Sequence, residues 1–254
     1  MMLLDTLGRW LAHYLVKPAS RGMRVATCKP EQLAASLRRG DVLLVEGSNR
    51  ISVAIKYLTQ STWSHAALFV GANPDPAYAG QAEDFLLEAD VVEGVQLVRL
   101  EKFWDLPTRI CRPVGLSTEE IDTAVEFAIA RLGHTYDLKN VFDLARYVIQ
   151  TPPVPTRWRR RMIALGSGDP TRAICSSLIA QAFQSVRYPI LPEVVLEKAS
   201  DPTCEDCNEE LLEIRHHSLF TPRDFDLSPY FQVIKPTLDE GFDPHAFPWA
   251  EDAS

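Results

Sequence analysis

Thr62-Trp63-Ser64-His65-Ala66-Ala67-Leu68-Phe69-Val70-Gly71 decides how the rest of this chain is read, together with Ala173-Ile174-Cys175-Ser176-Ser177-Leu178-Ile179-Ala180-Gln181-Ala182-Phe183. The first stretch places a histidine at the mouth of an apolar strand that a glycine closes. The second places a cysteine in the opening turn of an amphipathic helix. A thiol at a helix start feels the positive end of the macrodipole and several free backbone N–H groups, both of which favour thiolate. An imidazole within reach is the base such a thiol needs to act as a nucleophile.

The bulk composition restricts the alternatives. The chain has 254 residues, 46% hydrophobic and 24% charged, which fits one sizeable globular core. Its formal net charge of -8 leaves no global basic footprint for nucleic acid. Five cysteines, Cys28, Cys111, Cys175, Cys204 and Cys207, are too few for a disulfide scaffold in a chain of this length. No window reaches the roughly 18 apolar residues that a membrane span needs. Residues 1–11 lack a basic start and an unbroken apolar run, so the expectation is a cytoplasmic protein with reduced thiols.

Outward from the two stretches, the periodicities alternate between strand and helix. Leu3, Leu4, Leu7, Trp10, Leu11, Tyr14 and Leu15 recur at helical spacing, so residues 2–16 read as an amphipathic helix that docks on the protein or lies at a membrane surface. A short helix from Pro30 to Arg39 is broken by Gly40-Asp41 before the buried strand Val42–Val45. Ser48 is placed to cap a helix over 50–59. Phe85–Ala89 and Val95–Arg99 read as a hairpin about Glu93-Gly94, with a further strand at Arg109–Val114. Ser117-Thr118-Glu119-Glu120 is a capping box that starts a helix ended by Gly133. A helix over 138–149, a proline-rich break and the basic cluster Arg157–Arg161 follow. Beyond the cysteine helix the sequence predicts a loop from Tyr188 to Asn208, a strand from Phe231 to Lys235 and an Asp- and Pro-rich tail.

Among the histidines, His65 is the best placed as a base. His13 lies on the terminal helix, His134 follows a helix end, His216-His217 is a polar tandem and His245 is in the tail. An orienting carboxylate fixes an imidazole tautomer in triads of this kind. Glu88 fits because it interrupts an apolar strand, where a charge needs a reason, while Asp90 and Glu93 belong to the turn. Ser176 and Ser177 are small enough to leave room for a substrate at the thiol. Taken singly, each of these residues has an ordinary alternative: Cys175 as a packed core thiol, His65 as a satisfied histidine, the arginine run as a solvated face. A rival site is Cys204-Glu205-Asp206-Cys207 with His216-His217, half of a zinc knuckle or a redox pair in an acidic loop.

Gly40-Asp41-Val42-Leu43-Leu44, Ser64-His65-Ala66-Ala67-Leu68, Leu87-Glu88-Ala89, Leu132-Gly133-His134-Thr135-Tyr136-Asp137 and Ile174-Cys175-Ser176-Ser177-Leu178, in this order, resemble the permuted branch of the NlpC-type papain-like cysteine hydrolases. The match is to the YiiX-like group, relatives of lecithin retinol acyltransferase, and with Thr221–Phe225 and Ser228–Phe231 it spans roughly residues 38 to 235. The histidine preceding the cysteine is the order of the permuted branch. The resemblance implies Cys175 as nucleophile, His65 as general base, Glu88 as its orienter, and Tyr136 beside the nucleophile. The chain departs from compact cell-wall members in the segment 138–170 between Tyr136 and Cys175.

These readings combine into an α+β, circularly permuted papain-like fold with an antiparallel sheet of about five or six strands. Residues 1–20 form the terminal helix, 21–240 one hydrolase domain with the insertion 138–170, and 241–254 a tail. The expected function is a thiol hydrolase that cleaves an amide or ester through an acyl-enzyme without a metal or organic cofactor. Its expected substrate is a small peptide or amino-acid conjugate. The alternatives are a lipid acyl hydrolase or acyltransferase, which touches a membrane through residues 2–16 and Arg157–Arg161, and a non-catalytic binding protein that keeps the fold.

Overall fold

The computed structural model describes residues 26–72, 84–90, 93–134, 174–198 and 208–239, with Asp243 and His245. The terminal helix over 2–16, the helix over 138–149, Tyr136, Arg157–Arg161 and Cys204–Cys207 lie outside these residues, as does nearly all of the tail. Six strands form an antiparallel sheet: β1 (Val42–Val45), β2 (His65–Gly71), β3 (Phe85–Asp90), β4 (Gly94–Arg99), β5 (Thr108–Pro113) and β8 (Phe231–Ile234), in spatial order β4-β3-β2-β1-β5-β8. The chain meanders from the central β1 out to β4. It then returns beneath the sheet through a single 3-10 turn, Leu100–Phe103, to lay β5 on the other side of β1.

Strand alternation sorts the side chains onto two faces. Val42, Leu44, Ala66, Leu68, Val70, Leu87 and Ala89 point to one face, which is covered by α3 (Thr118–Ile129) and α4 (Ile174–Ser185). Leu43, Val45, Ala67, Phe69, Leu86 and Ile110 point to the other, where α1 (Pro30–Ser36) and the returning turn supply Leu33, Leu100 and Phe103. β1 is buried at every position because both its faces and both its edges are occupied, which is why it reads as an unbroken Val-Leu-Leu-Val run.

The capping box of α3 is formed as expected: Glu120 N–H donates to Ser117 Oγ at 3.2 Å, and Ser117 N–H donates to the Glu120 carboxylate at 2.8 Å. α2 (Arg50–Thr59) is capped by Asn49 rather than Ser48. The Asn49 side-chain oxygen accepts from Ser52 N–H at 2.7 Å, since an amide reaches the third residue on as well as a hydroxyl does. A larger correction falls at 188–208, which was expected to be a loop. It contains β6 (Glu193–Lys198), paired with β7 (Asn208–Glu213) in a separate two-stranded sheet. The Glu-rich β7 runs against strand propensity, and its partner supplies what its own sequence does not.

Two locks hold the sheet on its helices. At the head of β1, the buried Asp41 carboxylate accepts from Arg112 Nε at 2.9 Å, from Arg112 Nη2 at 2.7 Å and from Arg38 N–H at 2.8 Å. Beyond the end of α4, Tyr188 bonds the backbone of Val114 and Tyr230, inside a cluster where Phe183 meets Phe231 edge-on at 5.2 Å.

Candidate active site

His65 opens β2, and its position is fixed from both sides along the chain. Its Cα partner is Val45 at the end of β1. The preceding Ser64 is buried, with its hydroxyl accepting from Gly47 N–H at 2.8 Å. Gly47 leaves little room there: a Cβ would lie 2.1 Å from Ser52 Oγ and 3.0 Å from Ser64 Oγ, so a larger residue would have to displace them. Trp63 is buried one residue earlier and donates its indole N–H to Asp226 at 3.0 Å, which ties α5 (Pro222–Leu227) to the sheet.

His65 and Glu88 share a strand parity and so a face of the sheet, with His65 over the Phe103 ring at 6.5 Å between centroids. Glu88 is 2% exposed. Its Oε2 lies 3.0 Å from His65 Nε2, and its Oε1 accepts from Gln96 Nε2 at 2.9 Å and from Lys102 Nζ. Every carboxylate oxygen is therefore engaged, as a buried charge requires. Burial opposes its ionisation. The hydrogen bond and charge of His65, with the charge of Lys102, override that and hold the Glu88 pKa down at about 2.

Cys175 reaches the same point from the opposite face. It is the second residue of α4, 5% exposed, and packs with Leu178, Ile179 and Ala182. The passage between faces is a seam in the sheet. The β2–β3 pairing starts at Leu68↔Leu87, so the N-terminal end of β2 has no ladder partner on that side. The Ala66 N–H, free of the ladder, donates to the Cys175 sulfur. Burial raises the thiol pKa, but the charge and hydrogen bond of His65, then the Ala66 N–H and Ser176, bring it below the ordinary thiol value. Reciprocally, burial opposes the charged imidazole, and Cys175 and Glu88 together raise its pKa well above that of free histidine. With Nε2 committed to Glu88, Nδ1 is the ring nitrogen left for the thiol. Such a pair favours thiolate and imidazolium over two neutral groups.

Ser176 is fully buried, with its Oγ 3.9 Å from the Cys175 sulfur. Asp90 is occupied in the hairpin turn, accepting from Glu93 N–H at 3.0 Å. The histidine candidates set aside stay apart: His134 is exposed, and the His216 ring lies tilted against His217 at 4.0 Å between centroids while its Nδ1 meets Ser218. Among the described residues no group of three or more His, Cys, Asp or Glu side chains is arranged to hold a metal ion. No helix among them is long and apolar enough to cross a membrane.

Gln96 and Lys102 escaped the sequence reading. Gln96 was within its reach, since the hairpin register about Glu93-Gly94 sets it opposite Glu88. Lys102 had no local signal. It lies on the 3-10 turn that carries the chain back under the sheet, and only the sheet order brings that turn to Glu88.

Residues 36–147 match the family model of the permuted papain-like amidases, YaeF/YiiX, C92 family. Among solved structures, the chain is similar to the metalloprotein yiiX from Escherichia coli O157:H7, at 17% identity and a TM-score of 0.45, over 78% of this chain and 96% of that one. Among curated proteins none matches. The matched residues 36–147, under half of the chain, carry β1, the histidine strand and the carboxylate strand, and over them the chain is similar to the permuted papain-like amidases of the YaeF/YiiX type.

Proposed function

We propose that this protein is a cysteine amidase or peptidase that cleaves an amide or ester of a small peptide or amino-acid conjugate through an acyl-enzyme. The observation that carries the reading is the unbroken chain from Cys175 to His65 to Glu88, with His65 Nε2 held 3.0 Å from a buried carboxylate. In this scheme the Cys175 thiolate attacks the carbonyl carbon, and the π electron pair moves onto oxygen. Free N–H groups at the start of α4 stabilise that oxyanion, a role we also propose for Ser176 and, on the family resemblance, for Tyr136. The oxyanion collapses as the His65 imidazolium gives its proton to the departing amine or alcohol, leaving a thioester. His65, again neutral, takes a proton from water, the hydroxide adds to the thioester, and expulsion of the thiolate releases the acid and restores the ion pair. Glu88 stabilises the imidazolium in each half-reaction without itself being protonated.

The test is capture of Cys175 by activity-based probes carrying amide, ester and lipid-acyl donors, with alkylation of all five cysteines followed in parallel. Preferential capture by peptide-like donors, with Cys175 alkylated fastest and slowed by His65→Ala, is the expected result. Equal labelling of the five cysteines refutes the catalytic assignment. Capture by lipid-acyl donors alone replaces the amidase with the lipid acyl hydrolase or acyltransferase.

A further inference from the structure

Glu88 holds two cations. Its Oε2 faces His65, while its Oε1 takes Lys102 Nζ together with the neutral amide of Gln96. Lys102 comes from the turn Leu100–Phe103, whose Leu100 and Phe103 are buried beneath the sheet and fix where the lysine stands. Its own side chain is 46% exposed, so the ammonium keeps part of its hydration while it meets a carboxylate that is 1% exposed.

Charge balance gives this contact its meaning. A thiolate, an imidazolium and a carboxylate sum to one negative charge in a site where Cys175 and Glu88 are buried. Uncompensated interior charge is strongly disfavoured, and the least costly relief is a proton on the carboxylate or on the sulfur. Gln96 can orient Glu88 but brings no charge. His65 and Lys102 are the charged groups whose pull on Glu88 offsets its burial.

We infer that Lys102 is a positioning residue for the Cys175–His65 pair: it completes a neutral four-member chain of alternating charges, keeps Glu88 ionised and leaves one carboxylate oxygen turned to the imidazole. This role rests on the reading of Cys175 and His65 as the reacting pair. It is distinct from a merely structural salt bridge because it sets the pH at which that pair forms.

The experiment is iodoacetamide labelling of Cys175 across the acid and neutral range, read by mass spectrometry on the full chain, with Cys111 as the internal marker of global unfolding. Without Lys102 the Glu88 pKa rises, the carboxylate protonates earlier as pH falls, and the imidazolium loses its partner. Lys102→Met is therefore expected to move the acid limb of the labelling profile upward by about one pH unit, at the low end of the effect of a close opposite charge. Lys102→Gln, which keeps a donor without the charge, gives the same shift, and Lys102→Arg restores the limb. In a Glu88→Gln background, Lys102→Met adds nothing. Superimposed profiles for wild type and Lys102→Met, with the wild-type acid limb intact, overturn the role of Lys102 alone. A wild-type Cys175 that labels no faster than Cys28 overturns the catalytic reading and this role with it.

Discussion

Arg112→Met removes the cation from the most buried ion pair in the described sheet. Asp41 has a side chain 1% exposed, and Arg112 supplies two of its three hydrogen bonds, at 2.9 and 2.7 Å. Only the Arg38 N–H at 2.8 Å remains afterwards, and Ser36 O also loses its Arg112 donor. Breaking a buried pair by deleting one partner costs about 3–5 kcal/mol. Arg112 is 16% exposed, so water can follow into part of the vacated space, and the lower end, about 3 kcal/mol, is the value expected here. With a urea m-value of about 2–3 kcal/mol per molar, that is a fall of roughly 1 M in the unfolding midpoint with m unchanged.

The pH dependence has a definite sign. Burial already holds the Asp41 pKa above its ordinary value, against the pull of Arg112 and the Arg38 N–H, so the folded state binds this proton more readily than the unfolded chain does. Stability from this group therefore falls as pH rises through the folded pKa, and more so once Arg112 is gone. The deficit of Arg112→Met should be larger at neutral pH than in mild acid. Urea unfolding of the single variants, Asp41→Asn and the double variant gives the coupling energy directly. A coupling below about 0.5 kcal/mol, or a deficit that does not change with pH, refutes the reasoning.

Two further predictions concern the neighbourhood of His65. Gly47→Ala puts a Cβ 2.1 Å from Ser52 Oγ and 3.0 Å from Ser64 Oγ, so it should destabilise by about 1–3 kcal/mol and slow Cys175 labelling, with partial recovery on adding Ser52→Ala. Thermal unfolding and iodoacetamide rates check both parts. Across the thiols, the depressed pKa of Cys175 keeps it thiolate, and alkylable, below the range of ordinary thiols until pH falls through its folded value. Cys111, which burial and then Asp226 push up to about 12, stays inert throughout, and comparable rates for the two at neutral pH would contradict the site geometry.

The sequence by itself determined whatever is coded by neighbours along the chain. The doubly buried β1, the capping box at Ser117, the hairpin about Gly94 and the cysteine in the first turn of α4 each have a local period or cap, and each appears as read. Glu88 stood out because a carboxylate inside an apolar strand demands partners. Tertiary structure alone decided who those partners are. Lys102 meets Glu88 because the chain returns under the sheet from β4 to β5, and Cys175 meets His65 because the β2–β3 ladder opens at Ala66 and lets a helix on one face reach a side chain on the other. Asp41 and Arg112, 71 positions apart, belong to the same class, as does β7, whose acidic sequence becomes a strand only against β6. Contacts of this kind are set by strand order and register, which depend on the free energy of the whole sheet rather than on any segment within it.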